Sequence, residues 1–151
     1  MRARIQLVDD LMEGVMKVNL DTDRARDVLG EDIAGIFLDH AEVVPLEEAE
    51  RMVPLVNVHL EAAHKIRTSM IPDVDVRLAE KLTTACLDLL KVYPGMSDKS
   101  RAAVVGAVRY FMQANDANDD LSSGEGFKDD ARVVNYVIEI TGADLERVKI
   151  E

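Results

Sequence analysis

Apolar residues recur along this chain at steps of three and four, the period of a helix with one face turned to a core. Ile5, Val8, Met12 and Val15 form the first such stripe and predict a helix over about residues 4–18. Asp21 or Asp23 is placed to cap a short helix that ends near Gly30. Ile33, Phe37, Ala41 and Val44 make a second stripe, with Glu31 and Asp32 near its positive N-terminal end. Pro45 suits the first turn of a third helical segment. Pro54 lies inside that segment; it has no N–H to give, so a break or kink is expected just before it. Leu55, Ala62, Ile66 and Met70 then continue on one face. Ile71-Pro72 marks the next boundary, and Asp73 or Asp75 can cap a helix carrying Val76, Ala79, Leu82, Cys86 and Leu89. Tyr93-Pro94-Gly95 ends it with turn chemistry. Ser97 opens another helix, whose face includes Val104, Val108, Phe111 and Met112. A polar stretch from Gln113 to Gly126 precedes the last helix, which carries Ala131, Val134, Val137 and Ile138 and is closed by Gly142.

Nowhere does the pattern switch to the two-residue alternation of a strand, and no hairpin dipeptide separates two apolar runs. The pattern predicts an all-α protein, a compact bundle of six to seven helices in a single domain over residues 1–151. Aromatic residues are 4% of the chain, so Leu, Val, Ile, Ala and Met must fill most of the core.

Charge narrows the partners. The formal net charge is −11, which argues against binding nucleic acid, where clustered Lys and Arg neutralise phosphates. It also argues against attraction to anionic membrane surfaces. The longest weakly polar run, Ala102 to Val108, is too short to span a bilayer. Asp9, Asp10 and Glu13 interrupt what a leader peptide would need as an apolar stretch after Arg2 and Arg4. One cysteine cannot make an intrachain disulfide and fits a reducing compartment. The expected location is the cytoplasm.

Charge is also unevenly spread. Residues 113–130 hold six acids, Asp116, Asp119, Asp120, Glu125, Asp129 and Asp130, against Lys128 alone, a local charge of −5. Two readings offset that crowding. In the first, the segment is an interhelical loop. Asp116 and Asp120 then satisfy loop amides, and Asp129 and Asp130 stand in the first turn of the final helix, where the dipole favours anions. In the second, it is a Ca²⁺ or Mg²⁺ site, with Asp116, Asn118, Asp120, Asp129 and Asp130 as oxygen donors. Asp116, Asn118 and Asp120 alternate as at the start of an EF-hand loop. Leu121 and Phe127 stand where that loop needs Gly and Glu, so any such site is irregular.

The spacing from Tyr110 through Asp116, Asp120, Gly126-Phe127 and Asp129-Asp130-Ala131 resembles the YkvA-like family of small bacterial domains, over residues 104–141. The resemblance implies a helix end, an acidic loop and a helix start built on Tyr110, Asp116, Asp120, Gly126, Phe127, Asp129 and Asp130. It brings no biochemical activity with it. Many members of that family carry an apolar, proline-containing loop that looks membrane-associated. Here the matching positions are polar (Gln113-Ala114, Asn118-Asp119, Ser122-Ser123), so membrane association is not expected. A fainter similarity is to TerB-like tellurite-resistance domains, which are also helical and acidic.

Other constellations point to structure. His40 falls on the face of Ile33 and Phe37, and His59 on that of Leu55 and Ala62, which predicts partly buried histidines. His59 and His64 are five apart and do not share a helix face, and no HExxH pattern occurs. Cys86 lies on an apolar face and reads as an inert thiol. Ser122-Ser123-Gly124 lacks a nucleophile elbow. Leu46-Glu47-Glu48-Ala49-Glu50-Arg51 reads as a solvated helix face, and Met12, Met16, Met52 and Met70 as core fillers. The expectation is a non-catalytic helical protein that acts through a protein partner or as a homo-oligomer, with no cofactor. A divalent-cation module on the acidic loop is the alternative, and a mimic of nucleic acid a weaker third.

Overall fold

The computed structural model describes residues 16–69, 76–113 and 126–149. Within them lie six α-helices: α1 (Thr22–Leu29), α2 (Glu31–His40), α3 (Leu46–Ser69), α4 (Val76–Val92), α5 (Asp98–Met112) and α6 (Gly126–Thr141). A short 3-10 turn, Tyr93–Gly95, separates α4 from α5. No strand occurs among the described residues, and the all-α expectation holds.

The ends of these helices follow the local chemistry of the sequence. Asp21 caps α1, its carboxylate accepting from the Arg24 N–H at 3.0 Å. Gly30 stops α1 at a φ of +88°, a region only glycine enters without strain, and α2 begins at the next residue. Ser97 caps α5 by accepting from the Ser100 N–H at 3.2 Å. Gly142 closes α6 at φ +69°. Expected boundaries and observed ones agree here because each rests on one residue and its immediate neighbours.

Helix α5 is the axis of the bundle. Residues 102–108 are all buried, together with Tyr110 and Phe111. A helix that is apolar all round must be covered all round, and α5 packs against α2, α3, α4 and α6. Gly106 sets the approach of α2: a Cβ there would stand 2.8 Å from Phe37 Cε1 and 3.1 Å from Ala41 Cβ. Phe37 itself is fully buried and meets Tyr136 of α6 edge-on, with ring centroids 6.0 Å apart. On α4, the five positions singled out by spacing (Val76, Ala79, Leu82, Cys86 and Leu89) are all buried.

The turn after α2 is fastened at three points. Met16 and Val43 exchange backbone hydrogen bonds of 2.9 and 2.8 Å as an isolated antiparallel bridge. Lys17 donates from Nζ to the carbonyls of Asp39 and Ala41, at the C-terminal end of α2 where carbonyls lack helical partners. The buried Tyr93 hydroxyl accepts from the Val44 N–H at 2.9 Å and donates to the Val44 carbonyl at 2.7 Å. The C-terminal tail is held similarly by Asn135 of α6, whose side-chain amide bonds both the N–H and the carbonyl of Val148, at 2.7 and 2.9 Å.

Four expectations require correction. Residues 16–18 of the first expected helix are not helical, and Met16 is held by its backbone bridge to Val43; the remainder, 4–15, lies outside the described residues. Met16 is also 43% exposed and fills no core. Pro54 does not interrupt α3, which runs unbroken from Leu46 to Ser69. The buried residues Ala49, Met52, Val56 and Ala63 hold both halves on one line of contact, and that outweighs one lost backbone bond. That line also excludes Leu55, which is 55% exposed: the buried face of α3 lies one position further round than the stripe from Leu55 suggested.

Candidate functional site

The first candidate site is the corner where α6 begins. Phe127 is fully buried in the first turn of α6, and its ring meets Phe111 of α5 at 6.1 Å. His59 of α3 completes the group, 4.7 Å from Phe111 and 6.4 Å from Phe127, both edge-on. Ring edges set against ring faces are the favoured packing of such groups. His59 is half-buried, as its place on α3 predicted, and so is His40. His64 lies instead beside Glu80 of α4, at 3.3 Å.

The two described aspartates of this corner do different things. Asp129, in the first turn of α6, is 6% exposed and accepts from Arg132 Nη1 at 3.4 Å. Arg132 also donates to the Leu29 carbonyl, at the C-terminal end of α1. Asp129 thus takes the helix-start role expected of it and helps aim an arginine that ties α6 to α1. Asp130 is fully buried and lies close enough to Cys86 of α4 for its charge to act on the thiol. Burial first, and the nearby Asp130 second, push the Cys86 thiol up above its ordinary range. A thiol held neutral in the core is a poor nucleophile.

Of the five oxygen donors considered for a cation, Asp116, Asn118 and Asp120 lie outside the described residues. Asp129 faces an arginine and Asp130 faces the core. Among the described residues no three His, Cys, Asp or Glu side chains come together as a metal-binding group would require. Of the motif positions, Tyr110 is buried on α5, Gly126 begins α6, and Phe127, Asp129 and Asp130 follow it into the core. What the described part of the motif does is seat α6 against α3, α4 and α5.

The second candidate is a groove between the first half of α3 and the last half of α4. Leu46 and Val53 form one wall, Leu87 and Leu90 the other, and Pro94 closes one end. Its volume is about 420 Å³. Glu50 and Lys91, both exposed, supply one charge of each sign. Leu46 and Val53 are 44% and 37% exposed. They are seven residues apart, so they stand one above the other on α3. The expectation of a solvated face over 46–51 holds for Glu47, Glu50 and Arg51, while Leu46 and Ala49 turn to the groove. Periodicity alone could not find this site, because a half-exposed leucine and a core leucine have the same sequence signature.

A second hollow, of about 520 Å³, lies between α4 and the tail. Lys81, Asp88, Glu146 and Lys149 line it with alternating charge. No described helix is long and apolar enough to cross a membrane. No known protein family, characterised protein or solved structure matches the chain.

Proposed function

We propose that this chain is a non-catalytic protein-contact module and that the α3–α4 groove is its contact face. One observation carries the reading: Leu46 and Val53 stand partly in solvent on the same side of α3, facing Leu87 and Leu90 across a concave apolar surface. Single exposed aliphatic residues are ordinary. A concave group of them, rimmed by charges, is the form of surface that takes up the apolar stripe of a partner helix. The inert Cys86 thiol and the structural engagement of Asp129 support a role without chemistry. The partner is another protein or a second copy of this chain, and the YkvA-like resemblance of residues 104–141 belongs to the same reading, as a scaffold motif.

Sedimentation equilibrium tests it. The native chain is expected to gain mass as its concentration approaches the millimolar range, and a Leu46→Asp, Val53→Asp variant to remain monomeric. Both residues are surface-accessible, so the variant should keep its helical circular dichroism. A native chain that stays monomeric throughout removes the self-associating form of the proposal. A variant that associates as the native chain does removes the groove from it.

A further inference from the structure

We infer that a second copy of this chain fills the α3–α4 groove, and that the part it inserts is the outer stripe of its own α3: Leu55, Val58 and Ala62. This rests on the self-associating form of the reading above, and it names the surface that enters the groove.

Among the described residues, Leu55 and Val58 are the most exposed large hydrophobic side chains, at 55% and 59%. Ala62 is half-buried beside them. Steps of three and four set the three on one line along α3. That line is separate from the groove wall. Val53 and Leu55 are two residues apart, which at the helical repeat puts them about 160° apart around the axis. One copy therefore presents a ridge and a groove at once. A ridge laid between two walls is touched on both sides, whereas a ridge laid on a ridge is touched along one line. The better-packed contact is ridge in groove.

Charge matches as well as shape. Arg51 stands one turn before Leu55 and Glu61 one turn after Val58, both exposed, so the ridge is bracketed by one charge of each sign. The groove carries the same pair, Glu50 and Lys91. Arg51 against Glu50 of the second copy, with Glu61 against its Lys91, gives the ridge a direction; the reverse direction sets like charges together. Exposed pairs of this kind add little strength. Each copy carries a net charge of −11, and that repulsion confines the contact to concentrated protein. Because the two surfaces are unlike, the contact is heterologous, and a copy whose groove is filled still offers its ridge.

Sedimentation equilibrium on full-length variants tests it. Leu55→Asp, Val58→Asp removes the ridge, and Leu46→Asp, Val53→Asp removes one groove wall. All four residues are exposed, so both variants are expected to keep their helical circular dichroism. Alone, each is expected to remain monomeric at concentrations where the native chain gains mass. Mixed in equal amounts, they are expected to form a dimer with one chain of each, since one supplies the groove and the other the ridge. Cysteine cross-linking reads the geometry; the native Cys86 is buried and takes no part. Under mild oxidation a Val53→Cys chain is expected to join a Val58→Cys chain at least tenfold faster than it joins a Val28→Cys chain, whose α1 position is 49% exposed. A ridge variant that associates as the native chain does, a mixture that stays monomeric, or equal cross-linking rates would each overturn the inference. So would a Val58→Cys chain that joins its own kind faster than it joins Val53→Cys, since ridges would then meet ridges. The groove is tested separately, by whether the Leu46→Asp, Val53→Asp variant on its own stays monomeric.

Discussion

Single atoms decide the tightest contacts of this bundle. Gly106 is the clearest case, since the Cβ it lacks would overlap the ring of Phe37. Alanine is the better helix former by about 1 kcal/mol, but a forced methyl in a filled core costs typically about 1–3 kcal/mol. Phe37 is fully buried and braced against Tyr136, so it has little room to yield. Gly106→Ala is therefore expected to destabilise the protein by about 1–2 kcal/mol in urea denaturation. Tyr93→Phe removes one oxygen and orphans two buried backbone groups of Val44. Its expected cost is about 1–3 kcal/mol, with faster hydrogen exchange at the Val44 amide as the local signature. Neither residue announces itself in the sequence. Gly106 acquires its role only when α2 crosses α5, and Tyr93 only when its ring reaches a residue 49 positions away.

Helices were legible where one residue decides and obscure where two elements must meet. Asp21, Ser97 and Gly142 are caps in the sequence and caps in the fold. The stripe of α4 keeps its phase over seventeen residues. In α3 Pro54 predicts a break with a new stripe beginning on Leu55, and that stripe is out of phase with the buried face by one residue. The contacts of Ala49, Met52, Val56 and Ala63 override that local signal. Pro54 remains a cost the helix carries, and it is exposed. Pro54→Ala is expected to restore a donor to the Glu50 carbonyl and to stabilise the protein by about 1–3 kcal/mol. Thermal unfolding should register this as a rise of several degrees. An unchanged or lower midpoint would mean that the proline's geometry is itself required for α3 to reach both neighbours. At the candidate site, the positions of Phe127 and Asp129 at a helix start were readable. The depth of Asp130 was not, because burial depends on where α4 lies.

For the whole molecule, three buried acids among the described residues have raised pKa values and shape its response to alkali. Burial is the leading cause for Cys86, Tyr93 and Tyr136 alike. Each holds its proton more tightly folded than unfolded. Their contribution to stability is therefore complete below the unfolded values, about 9 for the thiol and 10 for the phenols. Above them the unfolded chain ionises first, and stability falls as pH rises. Melting temperatures are expected to decline from pH 9 upward, less steeply in a Cys86→Ala variant measured against its own neutral-pH value. Over the same range the native thiol should resist aromatic disulfide reagents until the protein unfolds.

The position of α5 carries a last consequence. Four other helices close their apolar faces on it, so none of them can leave without wetting a surface that has no polar side to show. Partial detachment is then nearly as costly as complete loss of structure, and the chain should come apart in one step, without a long-lived half-folded form. Cleaving it into two fragments would leave each with an open seam, and recovery of the fold would depend on their finding one another again.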